Sequence, residues 1–539
     1  MELEPDTMRA AELISKAQAI VGSALDNLRA RGGIDANQTF AYDLSHAASA
    51  LATAEATRSY ASQGPLESKI ANAFLALALS DLADRVLGNE QLWGVDPSWF
   101  GPFLPFVSEF HSPTLLASLA EEPGPRHLEP EFSMVADVFH RFAEEKVRPH
   151  VDHVHRTNGD IPESIIHGLA ELGGFGLSVP EEFGGFATGG ESEYLGMVVA
   201  TEELSWGGLG IGGSLITRPE ILTRALVSGG TQEQKEYWLP RLSSAETLVA
   251  VAVTEPDFGS DVAGITTMAK KTAGGWLING TKTWCTFAAR ANLLMLLVRT
   301  DPDRAKSHRG LSVLLVEKPI GDSHGFVFEQ DASDEGRSDA DGRLEGRPID
   351  TIGYRGMHSY ELSFENWFVP DDNLVGGEVG LGKGFYFQMA GFENGRIQTA
   401  ARAVGVMQAA YEVALDYAMN RKVFGQPIIN YELTRVKLGT MAVIIQAARQ
   451  FALQVARLMG RGEGALEASM AKAYVCRAAE WVTREAMQIH GGMGYAEEYP
   501  VSRLFVDARV LSIFEGADET LCLKVVARRL LDRRDSSVG

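Results

Sequence analysis

Four motifs stand in one order along this sequence, and a glutamate that could act as a base closes the last of them. The first is Val253-Thr254-Glu255-Pro256-Asp257-Phe258-Gly259-Ser260-Asp261, which reads as a strand ending in a polar turn. Backbone N–H groups and hydroxyls at such a turn can hold a phosphate or a polarised ring edge. The second, Gly280-Thr-Lys-Thr-Trp284-Cys-Thr286, is another strand end, with an aromatic ring two residues from a hydroxyl. The third, Arg421-Lys-Val-Phe424-Gly425, ends a helical run. The fourth is Gln488-Ile-His-Gly491-Gly492-Met-Gly494-Tyr495, followed by Arg503, Asp507 and Ile513-Phe-Glu515-Gly516. A positioned carboxylate can take a proton from a carbon acid when the adjoining carbonyl is polarised. Gly516 behind it lets the backbone approach closely. A glutamate by itself is a solvated surface charge, so Glu515 draws its weight from the order of the motifs.

The elements that must position these residues change texture twice. Up to about Ser244 the periodicity is helical, with breaks at Gly32-Gly33 and Gly64-Pro65, an aromatic stretch from Trp93 to Pro105, and a linker at Pro123-Gly-Pro125. From Leu248 to Glu365, short apolar runs separated by turn residues read as strands: Leu248–Thr254, Gly275–Gly280, Leu293–Val298, Leu311–Val316 and Glu361–Glu365. Glu329 to Arg347 is nearly empty of apolar residues and reads as a solvated loop or a long hairpin tip. Helical periodicity returns from about Gly384 to Arg533. The expected boundaries are 1–125 for a helical extension with its aromatic and proline-rich linker, 126–246 for a helical domain, 247–378 for a β-domain and 379–539 for a helical bundle. The class is α+β, mainly α, without the βαβ alternation of a doubly wound sheet. Gly208-Leu-Gly210-Ile-Gly-Gly213 fits G-x-G-x-x-G but follows a helical run, where a dinucleotide site requires a strand. Gly380-Leu-Gly382-Lys-Gly384 lacks the P-loop ending and reads as a loop before a long helix.

Composition excludes several classes. The chain has 539 residues, 45% of them hydrophobic, enough for several domains. A net charge of −22 opposes a nucleic-acid partner and an anionic membrane surface. The three cysteines, Cys285, Cys476 and Cys522, have no metal-ligand spacing and suit a reducing compartment, so no metal is expected. The acidic start lacks the pattern of a signal peptide, and the six-residue run Leu293–Val298 is far too short to span a bilayer. A soluble, cytoplasmic protein is expected.

From about Glu131 to Arg533 the sequence resembles the acyl-CoA dehydrogenase family, on the four motifs above. The resemblance implies an N-terminal helical domain, a middle β-domain and a C-terminal four-helix bundle, with FAD between the last two. It implies that Val253 and Thr254 meet the flavin ring, and that Ser260 lies near the diphosphate and the substrate. Trp284 would flank the isoalloxazine and Thr286 would bond near its N5. Arg421, Phe424, Gln488, Gly491 and Gly492 match positions contacting the FAD of a neighbouring subunit, so at least a dimer is implied. Glu519 fits the family's FAD-contacting pattern, Arg396 matches a position beside CoA, and Gly516 borders the substrate. Glu515 matches the usual catalytic base, which removes the α-proton of a thioester as the β-hydride leaves for the flavin. Electrons would pass to an electron-transfer flavoprotein. The sequence departs from the family at Asp257-Phe258, where a small residue is usual before the turn. It departs again after Thr286, and at Ala517, where many members place a threonine touching FAD.

The extension, Gln91-Leu-Trp-Gly94, Gly213-Ser-Leu-Ile-Thr-Arg218-Pro219 and Gly353-Tyr-Arg355-Gly-Met357 resemble a branch of the family that converts (2S)-methylsuccinyl-CoA to mesaconyl-CoA in the ethylmalonyl-CoA pathway. A dicarboxylate substrate needs a partner for its distal charge, and arginine can donate two parallel bonds to it. Arg218 and Arg355 are the candidates. The competing readings are a dehydrogenase of a short branched monocarboxylic acyl-CoA such as isovaleryl-CoA, an acyl-CoA oxidase, a DNA-binding protein of the same fold, and an assembly partner without catalysis. The extension is expected to cover a surface through which other members form tetramers, leaving a homodimer.

Overall fold

Leu293-Leu-Met-Leu-Leu-Val-Arg299 is buried at every position in the computed structural model, which describes residues 5–332 and 341–538. A strand covered on both faces reads as a continuous apolar run rather than an alternating one, and this one lies inside the sheet. The strands are β1 (Val249–Ala252), β2 (Met268–Thr272), β3 (Gly275–Lys282), β4 (Leu293–Arg299), β5 (Leu311–Glu317), β6 (Phe326–Gln330), β7 (Gly342–Ile349) and β8 (Ser359–Pro370). They run in the order β1-β4-β2-β3-β8-β7-β6, with β5 paired to β4. β4 is parallel to β1, with Val249 opposite Leu293, and antiparallel to β5. A bulge shifts the β3–β8 register between Ile278 and Gly280. Gly280 has φ +139°, and a Cβ there would stand 2.8 Å from Thr267 Cα, so glycine is required.

The sheet belongs to one of two compact units, Val138–Met197 with Glu203–Gly395. Its core joins Leu293, Met295 and Leu297 to Leu222 and Leu226 of the helix Thr217–Gly229 and to Trp238 and Leu239 of the helix Gln232–Ser243. The second of these helices starts on a capping box: Thr231 Oγ1 accepts from Gln234 N–H, while the Gln234 side chain returns to the Thr231 N–H. Part of the expected solvated loop is strand. β6 and β7 pair antiparallel, Phe326 opposite Gly346 and Gln330 opposite Gly342, and residues 333–340 between them lie outside the described residues. Gly208–Gly213 is not a phosphate loop. It follows the helix Gly190–Gly207 and forms a π-turn, Leu209–Gly213, in which a Cβ would strike the Arg355 carbonyl at 210, the Leu204 carbonyl at 212 and the Ser205 hydroxyl at 213.

The other unit, Met1–Asp137 with Val198–Glu202 and Arg396–Gly539, is helical apart from one two-stranded hairpin among its described residues. The extension forms Pro5–Ala30, Gln38–Ala61 and Pro65–Val86, with the breaks where the glycines stand. The helix Gln38–Ala61 packs on Glu432–Gly460 and Ala465–His490 and is buried on most sides. Its interior hydroxyls bond carbonyls one turn back, Ser45 to Ala41 at 2.8 Å and Ser49 to Ser45 at 2.7 Å, so these buried hydroxyls are satisfied within the helix. The aromatic stretch is more than a linker. It contains short helices at Glu90–Trp93 and Leu104–Phe110, and Trp93 is buried edge-on to Phe40 at 5.6 Å. Among the described residues, no helix is long and apolar enough to cross a membrane.

Candidate active site

Val253 and Thr254 leave the end of β1, and the Thr254 carbonyl accepts from Thr283 N–H at 2.8 Å, tying that end to the end of β3. Trp284 then turns out of β3 with φ +57° and is 57% exposed. A non-glycine in the left-handed region costs about 1–2 kcal/mol, and an exposed indole recovers none of that by burial. Thr286 bonds back through its N–H to the Trp284 carbonyl at 3.0 Å and pairs its hydroxyl with Ser359 at 3.0 Å. Ser260 is exposed in the turn after β1. The unusual Phe258 is half-buried against the sheet core, and a Cβ on Gly264 would meet its ring at 2.5 Å. The missing side chain at 264 therefore accommodates the departure at 258.

An ion pair that sequence reasoning passed over fixes this edge. Lys282 Nζ donates to Glu255 Oε1 and to the Val253 carbonyl, each at 2.9 Å, with both side chains buried. Glu255 also accepts from Thr266 N–H at 2.7 Å and Thr267 N–H at 2.8 Å. Burial works to raise the Glu255 carboxyl, but Lys282 and these donors outweigh it and hold it at about 2. A carboxyl depressed in the folded state stabilises above its unfolded pKa and loses that contribution as pH falls through the folded value. Lys282→Met leaves a buried carboxylate unpaired and should cost about 3–5 kcal/mol at neutral pH. The deficit should narrow at about pH 4, where Glu255 of the variant takes up a proton. Urea unfolding at the two pH values checks this; a deficit that does not narrow rejects the account.

In the helical unit, the helix ending at Asn420 gives way to a hairpin, Lys422–Val423 with Gln426–Pro427. Its two-residue turn puts Phe424 at φ +52° and Gly425 at φ +88°, both left-handed as a primed turn requires. Phe424 is 95% exposed there, and Arg421 beside it has no ion-pair partner among the described residues. Gln488 is exposed at the end of the helix Ala465–His490, and a Cβ on Gly491 or Gly492 would meet nothing within 4 Å. His490 is structural: buried, its Nδ1 is 2.8 Å from the Ala486 carbonyl and its ring stacks on Tyr417. Arg396 Nη1 donates to Ser469 Oγ at 3.2 Å.

Glu515 occupies a strained turn between the helix Pro500–Leu511 and the short helix Asp518–Leu521, with φ +54°, and Gly516 follows at φ +100°. Its Oε2 is buried with no hydrogen-bond partner among the described residues. One ordinary hydrogen bond returns about 1 kcal/mol net, too little to hold a left-handed glutamate alone. Several contacts hold it: Lys472 Nζ donates to the Gly516 carbonyl at 2.7 Å, Asp518 N–H to the Ser512 carbonyl at 3.1 Å, and Ser512 Oγ to Glu480 Oε1 at 2.5 Å. Burial pushes the Lys472 ammonium down, against neighbours that include Cys476 and Glu515. Glu519 is exposed one residue beyond Asp518.

Comparison with known proteins decides the family. Residues 129–246, 250–367 and 382–531 match the N-terminal, middle and C-terminal domains of acyl-CoA dehydrogenase. The chain belongs to the acyl-CoA dehydrogenase family. It is 45% identical over 411 residues to a (2S)-methylsuccinyl-CoA dehydrogenase of Cereibacter sphaeroides, covering 76% of this chain and 71% of that one. It is 33% identical over 386 residues to a mitochondrial isovaleryl-CoA dehydrogenase of Solanum tuberosum, covering 70% and 85%. Among solved structures, a glutaryl-CoA dehydrogenase in complex with glutaryl-CoA superposes with a TM-score of 0.67 at 28% identity, covering 76% of this chain and 97% of that one.

This acyl-CoA dehydrogenase is therefore a flavin enzyme whose cofactor is FAD. Trp284 in one unit presents an exposed ring that a flat cofactor could cover; in the other, Gly491 and Gly492 leave open space and Glu515 Oε2 has no hydrogen-bond partner among the described residues. Arg218 and Arg355 differ in setting. Arg218 is only 9% exposed; it donates to the Ser214 carbonyl at 3.0 Å and to Tyr354 Oη at 3.1 Å, and no carboxylate pairs with it among the described residues. Arg355 is half-buried and donates through Nε to the Thr351 carbonyl at 3.0 Å and through Nη1 to the His155 carbonyl at 2.6 Å. Burial lifts Glu220, two residues beyond Arg218, to about 7.

Proposed function

We propose that this enzyme oxidises (2S)-methylsuccinyl-CoA to mesaconyl-CoA, as in the ethylmalonyl-CoA pathway, with Glu515 removing the α-proton. The observation that carries the substrate is Arg218, a buried guanidinium bonded to neutral oxygens and lacking a carboxylate among the described residues. A buried cation without its counter-charge is costly, and the distal carboxylate of a dicarboxylic acyl-CoA supplies one. Similarity to a methylsuccinyl-CoA dehydrogenase supports the same choice.

In this reading Val253 and Thr254 bond the edge of the flavin, Trp284 covers its ring, Thr286 bonds near N5, and Ser260 lies near the diphosphate and the substrate. Arg421, Phe424, Gln488, Gly491 and Gly492 serve the cofactor of a partner subunit, so the working form is a homodimer. Glu519 contributes to the same cofactor contacts. Arg396 and Gly516 border the CoA thioester. Bound FAD supplies the acceptor for the β-hydride, and electrons leave to an electron-transfer flavoprotein. The buried Glu515 oxygen needs no rearrangement of hydrogen bonds before it accepts the α-proton, because none is made to it among the described residues.

Anaerobic bleaching of the bound flavin by methylsuccinyl-CoA, isovaleryl-CoA and butyryl-CoA tests the assignment. Methylsuccinyl-CoA should bleach fastest. Faster bleaching by isovaleryl-CoA would transfer the assignment to branched monocarboxylic substrates, the reading that similarity to an isovaleryl-CoA dehydrogenase favours.

A further inference from the structure

The extension reaches the turn that carries Glu515. Its helix Gln38–Ala61 lays Tyr42, Ser45 and His46 along the start of the segment Asp518–Val526. Tyr42 Oη donates to Asp518 Oδ2 at 2.5 Å, His46 Nε2 lies 3.0 Å from the same oxygen, and Ser45 Oγ donates to the Cys522 carbonyl at 3.0 Å. His46 and Asp518 are both buried. Burial is the main influence on the His46 ring and lowers its pKa, so the ring is neutral near pH 7. An Asp518 carboxylate can only accept, so Nε2 carries the proton between them.

Asp518 closes the turn. Its N–H returns to the Ser512 carbonyl at 3.1 Å, enclosing Glu515 and Gly516, while Lys472 holds the Gly516 carbonyl from the other side. The short helix Asp518–Leu521 has no side-chain cap of its own, because its N-cap position is Ala517. Its restraint comes from 472 residues earlier in the chain instead. The left-handed backbone at Glu515 is the kind of conformation that persists only where its surroundings over-determine it.

We infer that Tyr42 and His46 are positioning residues for proton abstraction: through Asp518 they fix the turn that aims the Glu515 carboxylate. The inference rests on Glu515 being the base. It gives the extension a part in catalysis, reached through a buried carboxylate next to the base rather than through contact with substrate.

The test uses the full-length, FAD-loaded enzyme and the fastest acyl-CoA of the panel above, deuterated at the α-carbon. Tyr42→Phe combined with His46→Leu should retain FAD and lower the rate of flavin reduction by about 10²-fold, the scale of a base displaced by about 1 Å. KM should change little, since no substrate contact is lost. The α-deuterium isotope effect on flavin reduction should rise, because proton removal has been impaired. Tyr42→Phe combined with His46→Gln restores one donor to Asp518 and should recover most of the rate. Tyr42→Phe alone gives a smaller loss of the same kind if the double variant does not fold. Unchanged rate and α-isotope effect would overturn the inference, as would a loss that Gln fails to rescue or that leaves the α-isotope effect unchanged. Glu515→Gln, run alongside, separates the two levels. An active Glu515→Gln removes the base itself, whereas an inactive Glu515→Gln beside unaffected Tyr42 and His46 variants removes only the positioning role.

Discussion

Glu515→Gln is expected to bind FAD as the parent does and to lose dehydrogenation, with flavin reduction by the preferred acyl-CoA slowed at least about 10²–10⁴-fold, the range a general base supplies. The substitution changes the charge and basicity while keeping the size. The turn is held by other hydrogen bonds: Lys472 donates to the Gly516 carbonyl and Asp518 N–H to the Ser512 carbonyl. The left-handed backbone at 515 should therefore survive, and bound flavin absorbance reports whether it has. Oε2 makes no hydrogen bond among the described residues, so no structural contact of that oxygen is lost with the charge. Stopped-flow bleaching under anaerobic conditions measures the step directly, without an external acceptor. A variant that bleaches at the parent rate would reject Glu515 as the base.

The fold was legible where burial is expressed in local composition. Leu293–Val298 announces a strand covered on both faces, and it is β4. β2 and β7 carried no such signal. Lys270 and Lys271 are exposed in β2, and β7 interleaves Gly342, Gly346 and Pro348 with charged residues. Both strands owe their place to partners, β3 on one side and β8 on the other, and pairing across a sheet leaves little trace in either strand alone. The extension shows the converse. Its periodicity was plain, but its helix Gln38–Ala61 is buried among helices of the C-terminal bundle, which no helical stripe could reveal.

The chemistry was legible as an order of motifs and illegible as geometry. Trp284, Phe424 and Glu515 all sit on left-handed backbone, a state that residue type disfavours and only tertiary restraint can impose. The restraints are long-range pairs: Lys282 with Glu255, 27 residues apart, and His46 with Asp518, 472 residues apart. Each joins two unremarkable polar residues that become informative only when buried together. Arg218 and Arg355 looked equivalent in sequence because both stand in the segments that resemble one branch of the family. They part company in burial: both bond neutral oxygens, but Arg218 is buried whereas Arg355 is only half-buried.

That difference sets the second large effect. Arg218→Met should raise KM for methylsuccinyl-CoA by about 10²-fold, because truncating one member of a buried charge pair costs about 2–5 kcal/mol, and should leave KM for butyryl-CoA within about threefold, the spread of an incidental contact. The two substrates share CoA, the thioester and the reacting carbons, so any general disturbance of the site acts on both alike. Methionine fills similar space without introducing a new donor. It does strip the Ser214 carbonyl and Tyr354 Oη of a partner, and a modest fall in thermal stability should accompany it. Tyr354→Phe provides the control: it removes one bond to the guanidinium while leaving its charge, and should move KM for methylsuccinyl-CoA far less. Steady-state kinetics on the two substrates reads the result. Equal increases for both would remove Arg218 as the carboxylate partner. The candidate would then be Arg355, which gives two of its five N–H groups to the Thr351 and His155 carbonyls, and the same pair of substrates would test it.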